Sequence, residues 1–168
     1  IKKLNNNFIL ITSRFGNVNQ HLGRQIKTIK NKKYQNTSKE LFYKFLNLPN
    51  KLNSSQKIYN KIIIRPHPSE NFKTWEKQIN NLKYAEVVYR DNVAEWILAS
   101  SALIQNRCTT GLEAFLLDKK VISYGDDNSN DKIFKIFKSI SLNANSERDL
   151  TKKFFLKKKI NKTKKLEV

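Results

Sequence analysis

Five short, mainly apolar runs recur along the chain, and segments with helical spacing fill most of the intervals between them. The runs are Phe8 to Thr12, Ile62 to Arg65, Ala85 to Tyr89, Ala102 to Gln105 and Val121 to Tyr124. A mainly apolar run of four or five residues is the pattern of a short strand. Strands of that kind alternating with helices build a parallel sheet, since each connection crosses over the sheet with a right-handed turn. The expected fold class is therefore α/β, a Rossmann-like parallel sheet with helices on both faces.

Caps and spacing place the helices. Thr37-Ser38-Lys39-Glu40 is a capping box for a helix carrying Leu41, Phe42, Phe45 and Leu46. Leu48 to Asn60, with Pro49 and the cluster Asn53-Ser54-Ser55, reads as a break or exposed loop. Ser69 to Asn81 follows as a helix, with Phe72, Trp75, Ile79 and Leu82 at helical spacing. Asn92-Val93-Ala94-Glu95 caps another through Trp96, Ile97 and Ala99, and Thr110 to Leu117 makes a further one.

Past Tyr124 the pattern thins. Asp126 to Asp131 is a turn-rich acidic loop, and Ile133, Phe134, Ile136 and Phe137 suggest a short helix. Ser146-Glu147-Arg148-Asp149 opens a last helix toward Phe154, Phe155 and Ile160, and Lys157 to Lys165 is a basic end. Residues 1–150 are expected to form one domain, with 151–168 a basic C-terminal helix or tail.

At 168 residues the chain can bury a real core, because folding at this size hides roughly 70% of the unfolded surface. It contains no Met and begins at Ile1, so the expectation is the C-terminal piece of a longer protein whose N-terminal partner domain is missing here. Net charge is +19, yet only six of the 33 basic residues are Arg, the residue on which base-edge recognition leans. Lys, Asn and Ile are abundant throughout, so the charge reads as general bias and nucleic acid is not the expected partner.

A single Cys excludes an intrachain disulfide framework and a cysteine-rich zinc site, and no metal-ligand spacing is visible. Neither a metal nor another cofactor is expected. No apolar run approaches the roughly 18 residues of a membrane-spanning helix, and Ile1 to Thr12 lacks the form of a signal peptide. The cytoplasm is the expected location. Any membrane contact would be peripheral at the inner membrane, through the tail that interleaves Phe154, Phe155, Leu156 and Ile160 with Lys.

Two segments carry candidate chemistry. In Ile62-Ile63-Ile64-Arg65-Pro66-His67-Pro68, two prolines hold His67 at the carboxyl end of a strand, where its ring can meet an anion. In Cys108-Thr109-Thr110-Gly111-Leu112-Glu113-Ala114, hydroxyls and a glycine stand where a strand-to-loop segment meets a helix start. Thr110-x-x-Glu113 is at the same time a capping box. Arg14, Arg65 and Arg107 each fall at the carboxyl end of a predicted strand, a placement that fits binding of phosphate or carboxylate by a planar fork. Asn17, Asn19, Glu70 and Asn71 are lesser candidates in the adjoining turns. Trp75 and Trp96 read as core, and Cys108 as a small buried filler.

The order of these motifs, with Trp96 between them and Val121-Ile122-Ser123-Tyr124 after them, resembles bacterial surface carbohydrate biosynthesis proteins. These are similar to capsule and lipopolysaccharide glycosyltransferases of the GT-B fold, including those that use CMP-activated Kdo or sialic acid and carry a His-Pro motif. The likeness spans Ile62 to Tyr124 and, more loosely, Phe8 to Asn19. It implies the nucleotide-sugar-binding C-terminal half of such an enzyme, with a glycan or lipid-linked acceptor on the other half. It also implies that His67, Thr109, Thr110 and Gly111, with Arg14 and Arg65, bind nucleotide phosphate, and that Glu113 binds ribose. Two alternatives stay open: a sugar-nucleotide epimerase of the UDP-N-acetylglucosamine 2-epimerase type, and a non-enzymatic polyanion-binding module.

Overall fold

The computed structural model describes residues 7–20, 32–52, 59–106, 108–125 and 132–156. Six strands and six helices alternate through them: β1 (Phe8–Thr12), α1 (Lys32–Leu52), β2 (Lys61–Arg65), α2 (Phe72–Ile79), β3 (Ala85–Val87), α3 (Val93–Ala99), β4 (Ala102–Gln105), α4 (Thr110–Leu116), β5 (Val121–Tyr124), α5 (Lys132–Ser139), β6 (Leu142–Ala144) and α6 (Glu147–Phe155). All strand pairs are parallel, in the order β3-β2-β1-β4-β5-β6. The protein is thus a doubly wound, Rossmann-like α/β fold.

The period of two along the central strand divides the core. Ile9 and Ile11 of β1 face one side with Ile62 and Ile64, under α1, α2 and α6. Phe8 and Leu10 face the other with Ile63 and Leu103, under α3, α4 and α5. Trp75 and Trp96 are buried, one in each layer, and Cys108 is buried as well. Among the described residues, no helix is long and apolar enough to cross a membrane.

Helix α1 departs from the sequence expectation at both ends. It is already helical at Lys32, five residues before the Thr37 capping box, and it runs through Pro49 to Leu52. An interior proline costs about 3 kcal/mol. Phe45, Leu48 and Leu52 are almost completely buried and continue the stripe begun by Leu41, and each such side chain contributes roughly 1.5–3 kcal/mol. The stripe outweighs the proline. Two tyrosines then serve the last turn: Tyr59 Oη donates to the Leu52 carbonyl at 2.8 Å, and Tyr84 Oη to that of Pro49 at 3.4 Å.

Helix α2 starts later than Ser69, because Asn71 is its cap and accepts from Lys73 N at 3.1 Å. Strand β6 has no counterpart among the five expected runs, since its three residues hold too little apolar sequence to signal a strand. Helix α6 forms at its expected cap, with Ser146 Oγ accepting from Asp149 N. The division expected after residue 150 falls inside α6, whose Leu150 is buried and whose Phe154 packs on the same core. The cluster Asn53-Ser54-Ser55, the loop Asp126 to Asp131, Ile160 and the basic end Lys157 to Lys165 lie outside the described residues.

Candidate functional site

In a doubly wound sheet the connections leave in opposite directions on either side of one point, and the strand ends there open a crevice at the carboxyl edge. In this chain that point lies between β1 and β4. Two bonds tie its rims: Arg14 N donates to Asn106 Oδ1 at 3.1 Å, and Thr110 Oγ1 to Thr12 Oγ1 at 3.0 Å. Beside them opens a pocket of about 280 Å³, walled by Thr12 and Ser13 after β1, Arg65 to Pro68 after β2, Phe72, Tyr89 and Val93 toward β3, and Cys108, Thr109, Thr110 and Glu113 after β4.

His67 stands exposed on the pocket wall. Its Nδ1 accepts from Ser69 N at 3.2 Å and lies 2.8 Å from Ser69 Oγ. A ring nitrogen that accepts a backbone N–H has no proton of its own, so the neutral ring carries its proton on Nε2 and presents it as a donor. Gly16 supports this turn from below, since a Cβ there would come within 2.2 Å of Ser69 Oγ.

The β4 loop is held from the sheet. Gln105, fully buried, takes the Cys108 N–H on Oε1 at 2.8 Å and donates from Nε2 to Ser123 Oγ at 2.6 Å. Ser123 Oγ lies 2.9 Å from Ser141 Oγ, which donates to the Phe137 carbonyl. Gly111 packs directly on this glutamine, because a Cβ would sit 3.0 Å from Gln105 Cδ. Close packing of helix on strand is thus its visible role, and it is not among the residues lining the pocket.

The capping box expected at Thr110 and Glu113 does not form. Thr109 is the N-cap residue and makes no side-chain cap bond, while the Thr110 hydroxyl is turned to Thr12. Glu113 is consequently left with a carboxylate that bonds no described residue and lines the pocket. Arg65 also lines the pocket, but Nη1 and Nη2 each donate at 2.7 Å to a carbonyl, those of Arg90 and Asp91. Burial lowers its pKa, and the Asp91 charge opposes that shift. Asp91 itself has a positive φ of 63°, so the guanidinium clamps a strained turn.

Glu70, Asn71 and Asn19 form a different assembly. Glu70 is completely buried and accepts from Ser13 Oγ at 2.8 Å, Trp75 Nε1 at 3.1 Å and His67 N at 3.2 Å. Asn19 Nδ2 donates to the Asn71 carbonyl at 3.2 Å and reaches Glu70 Oε2 at 3.5 Å. These residues join the β1 loop to the β2 loop beneath the pocket wall. Arg14 is exposed, and neither it nor Asn17 lines the pocket. Arg107 and His21 lie outside the described residues.

Sequence reasoning passed over Phe72, Tyr89, Ser13, Gln105 and Asn106. Gln105 and Asn106 carry a readable signal, because polar residues ending a buried apolar strand face the carboxyl edge. Tyr89 has none, since its position depends on a turn fixed by Arg65. The described residues hold no group of three or more His, Cys, Asp or Glu placed to bind a metal ion. The pocket thus lies at the switch point of the sheet, the place where doubly wound α/β folds bind their ligands. Compared with known proteins, the chain matches no family model and no curated sequence.

Proposed function

We propose that this chain is the nucleotide-sugar-binding domain of a glycosyltransferase of surface polysaccharide synthesis. The observation that carries the reading is the convergence on one pocket of His67, Thr109, Thr110 and Glu113, from segments about forty residues apart. They are the residues on which the resemblance to GT-B transferases rests. Their chemistry divides as a nucleotide requires: the His67 Nε2–H and the Thr109 hydroxyl donate to phosphate, and the Glu113 carboxylate, which bonds no described residue, accepts from ribose hydroxyls. The β1 loop, Ser13-Arg14-Phe15-Gly16-Asn17, lacks the glycine pattern of a dinucleotide fingerprint, and the pocket is at the small end for ligand sites. A single nucleotide suits it better than a dinucleotide.

In this reading the acceptor, glycan or lipid-linked, arrives on a second domain, which also supplies the catalytic base. This segment binds donor without catalysing transfer. Titration calorimetry tests it with cytidine and uridine monophosphates against the corresponding nucleosides. The nucleotides should bind more tightly, and His67→Ala should weaken them by about 1–3 kcal/mol, the scale of a charge-assisted hydrogen bond. Equal affinity for nucleotide and nucleoside would remove the phosphate site.

A further inference from the structure

At the β3 side of the pocket, Phe72 and Tyr89 stack with centroids 4.6 Å apart and planes 12° from parallel. Both line the pocket. Tyr89 is 56% exposed, so core packing is not what holds it there. Three restraints do. Its ring lies on Phe72, its hydroxyl donates to Glu76 Oε1 at 2.9 Å, and the carbonyls that follow it are gripped by Arg65 and, at Arg90, by Trp96 Nε1 at 3.1 Å. The bond to Glu76 raises the Tyr89 pKa.

We infer that the Phe72–Tyr89 pair is the platform of a nucleobase subsite. This rests on the nucleotide reading above and adds to it the place and chemistry of the base. An exposed aromatic pair held in fixed geometry loses little entropy when a third flat ring joins the stack. The Tyr89 hydroxyl is already engaged, so the platform offers a π face rather than a hydrogen-bonding tip, which suits a planar base better than a sugar. The pocket is accordingly polarised: anion donors stand after β2 and β4, and the ring wall stands toward β3. A ligand that fills it has an anionic end and a flat apolar end.

The test compares uridine monophosphate, cytidine monophosphate and ribose 5-phosphate on the full chain, by calorimetry. The wild type should bind the nucleotides roughly 10- to 100-fold more tightly than ribose 5-phosphate, the range for stacking a base on an aromatic residue. Tyr89→Leu and Phe72→Leu should each remove most of that advantage and leave ribose 5-phosphate unchanged, whereas Tyr89→Phe, which keeps the ring, should lose less than about threefold. Two results overturn the subsite while sparing the anion site: ribose 5-phosphate binding as tightly as the nucleotides, or leucine variants that weaken all three ligands alike. If ribose 5-phosphate and the nucleotides all fail to bind, the anion site falls and the subsite falls with it.

Discussion

Glu70, in the turn after β2, is completely buried and accepts hydrogen bonds from Ser13, His67 and Trp75, while the carboxylate of Glu113, on α4, bonds no described residue. Both are carboxylates at one sheet edge. The first has its acceptor capacity filled by the protein and therefore holds loops together. The second is half-buried, bonds none of the described residues, and lines a pocket. The contrast separates scaffold from site more cleanly than residue type does.

Replacing Glu70 by Leu should give the largest effect. It strands three buried or half-buried donors, each costing about 1–3 kcal/mol, so a total loss near 4 kcal/mol is expected in urea unfolding. A loss below about 1 kcal/mol would break the comparison. Gly111→Ala comes next. Its Cβ would press on Gln105, and a cost of roughly 1–3 kcal/mol is expected in the same measurement, the range for overpacking. Alanine itself favours a helix over glycine by about 1 kcal/mol, so stability above wild type by that amount would mean that Gln105 yields and that the β4 loop is not fixed from the sheet.

A smaller effect concerns pH. The Lys51 ammonium and the Glu147 backbone amide hold the Glu147 carboxyl down to about 2 from its ordinary 4.5, and Tyr124 Oη adds a bond at 2.9 Å. Its contribution is complete above pH 4.5 and is lost as pH falls toward 2. Because the pair is part-exposed, about 1 kcal/mol or less is at stake. Between pH 7 and pH 3 the wild type should lose more stability than Glu147→Gln by that amount, read from unfolding midpoints. Equal losses would show that the contact contributes nothing.

The smallest stability change belongs to Glu113→Gln, within about 0.5 kcal/mol of wild type. Its effect should appear in ligand binding alone, as weaker affinity for ribonucleotide with deoxyribonucleotide unchanged. Destabilisation beyond about 1 kcal/mol would place Glu113 in the scaffold with Glu70.

Where the sequence was legible, the reason is periodicity. Five of six strands announced themselves as short, mainly apolar runs, and Asn92 and Ser146 marked helix starts by local cap chemistry. The remainder depends on distant partners. Pro49 reads as a breaker until the burial of Leu48 and Leu52 is known, and nothing near Glu70 foretells the distant Ser13 hydroxyl that joins the local donors His67 N and Trp75 Nε1 on its carboxylate. Arg65 was legible as a strand-end cation at the pocket. Its engagement with the Arg90 and Asp91 carbonyls was not, because the path of that turn is a tertiary outcome.

The hydroxyls beneath the β4 loop have a direction. A serine has one hydrogen to give. If Ser141 gives its hydrogen to the Phe137 carbonyl at 2.6 Å, then Ser123 must give its own to Ser141, and Ser123 is left to receive from Gln105 Nε2. The amide of Gln105 can then lie only one way round, with its oxygen toward Cys108 N. A carbonyl in the last turn of α5 thus sets the polarity of a relay that ends at the pocket floor. A Gln105→Glu variant would arrive there with no hydrogen for Ser123, and the whole chain of donors would have to reverse.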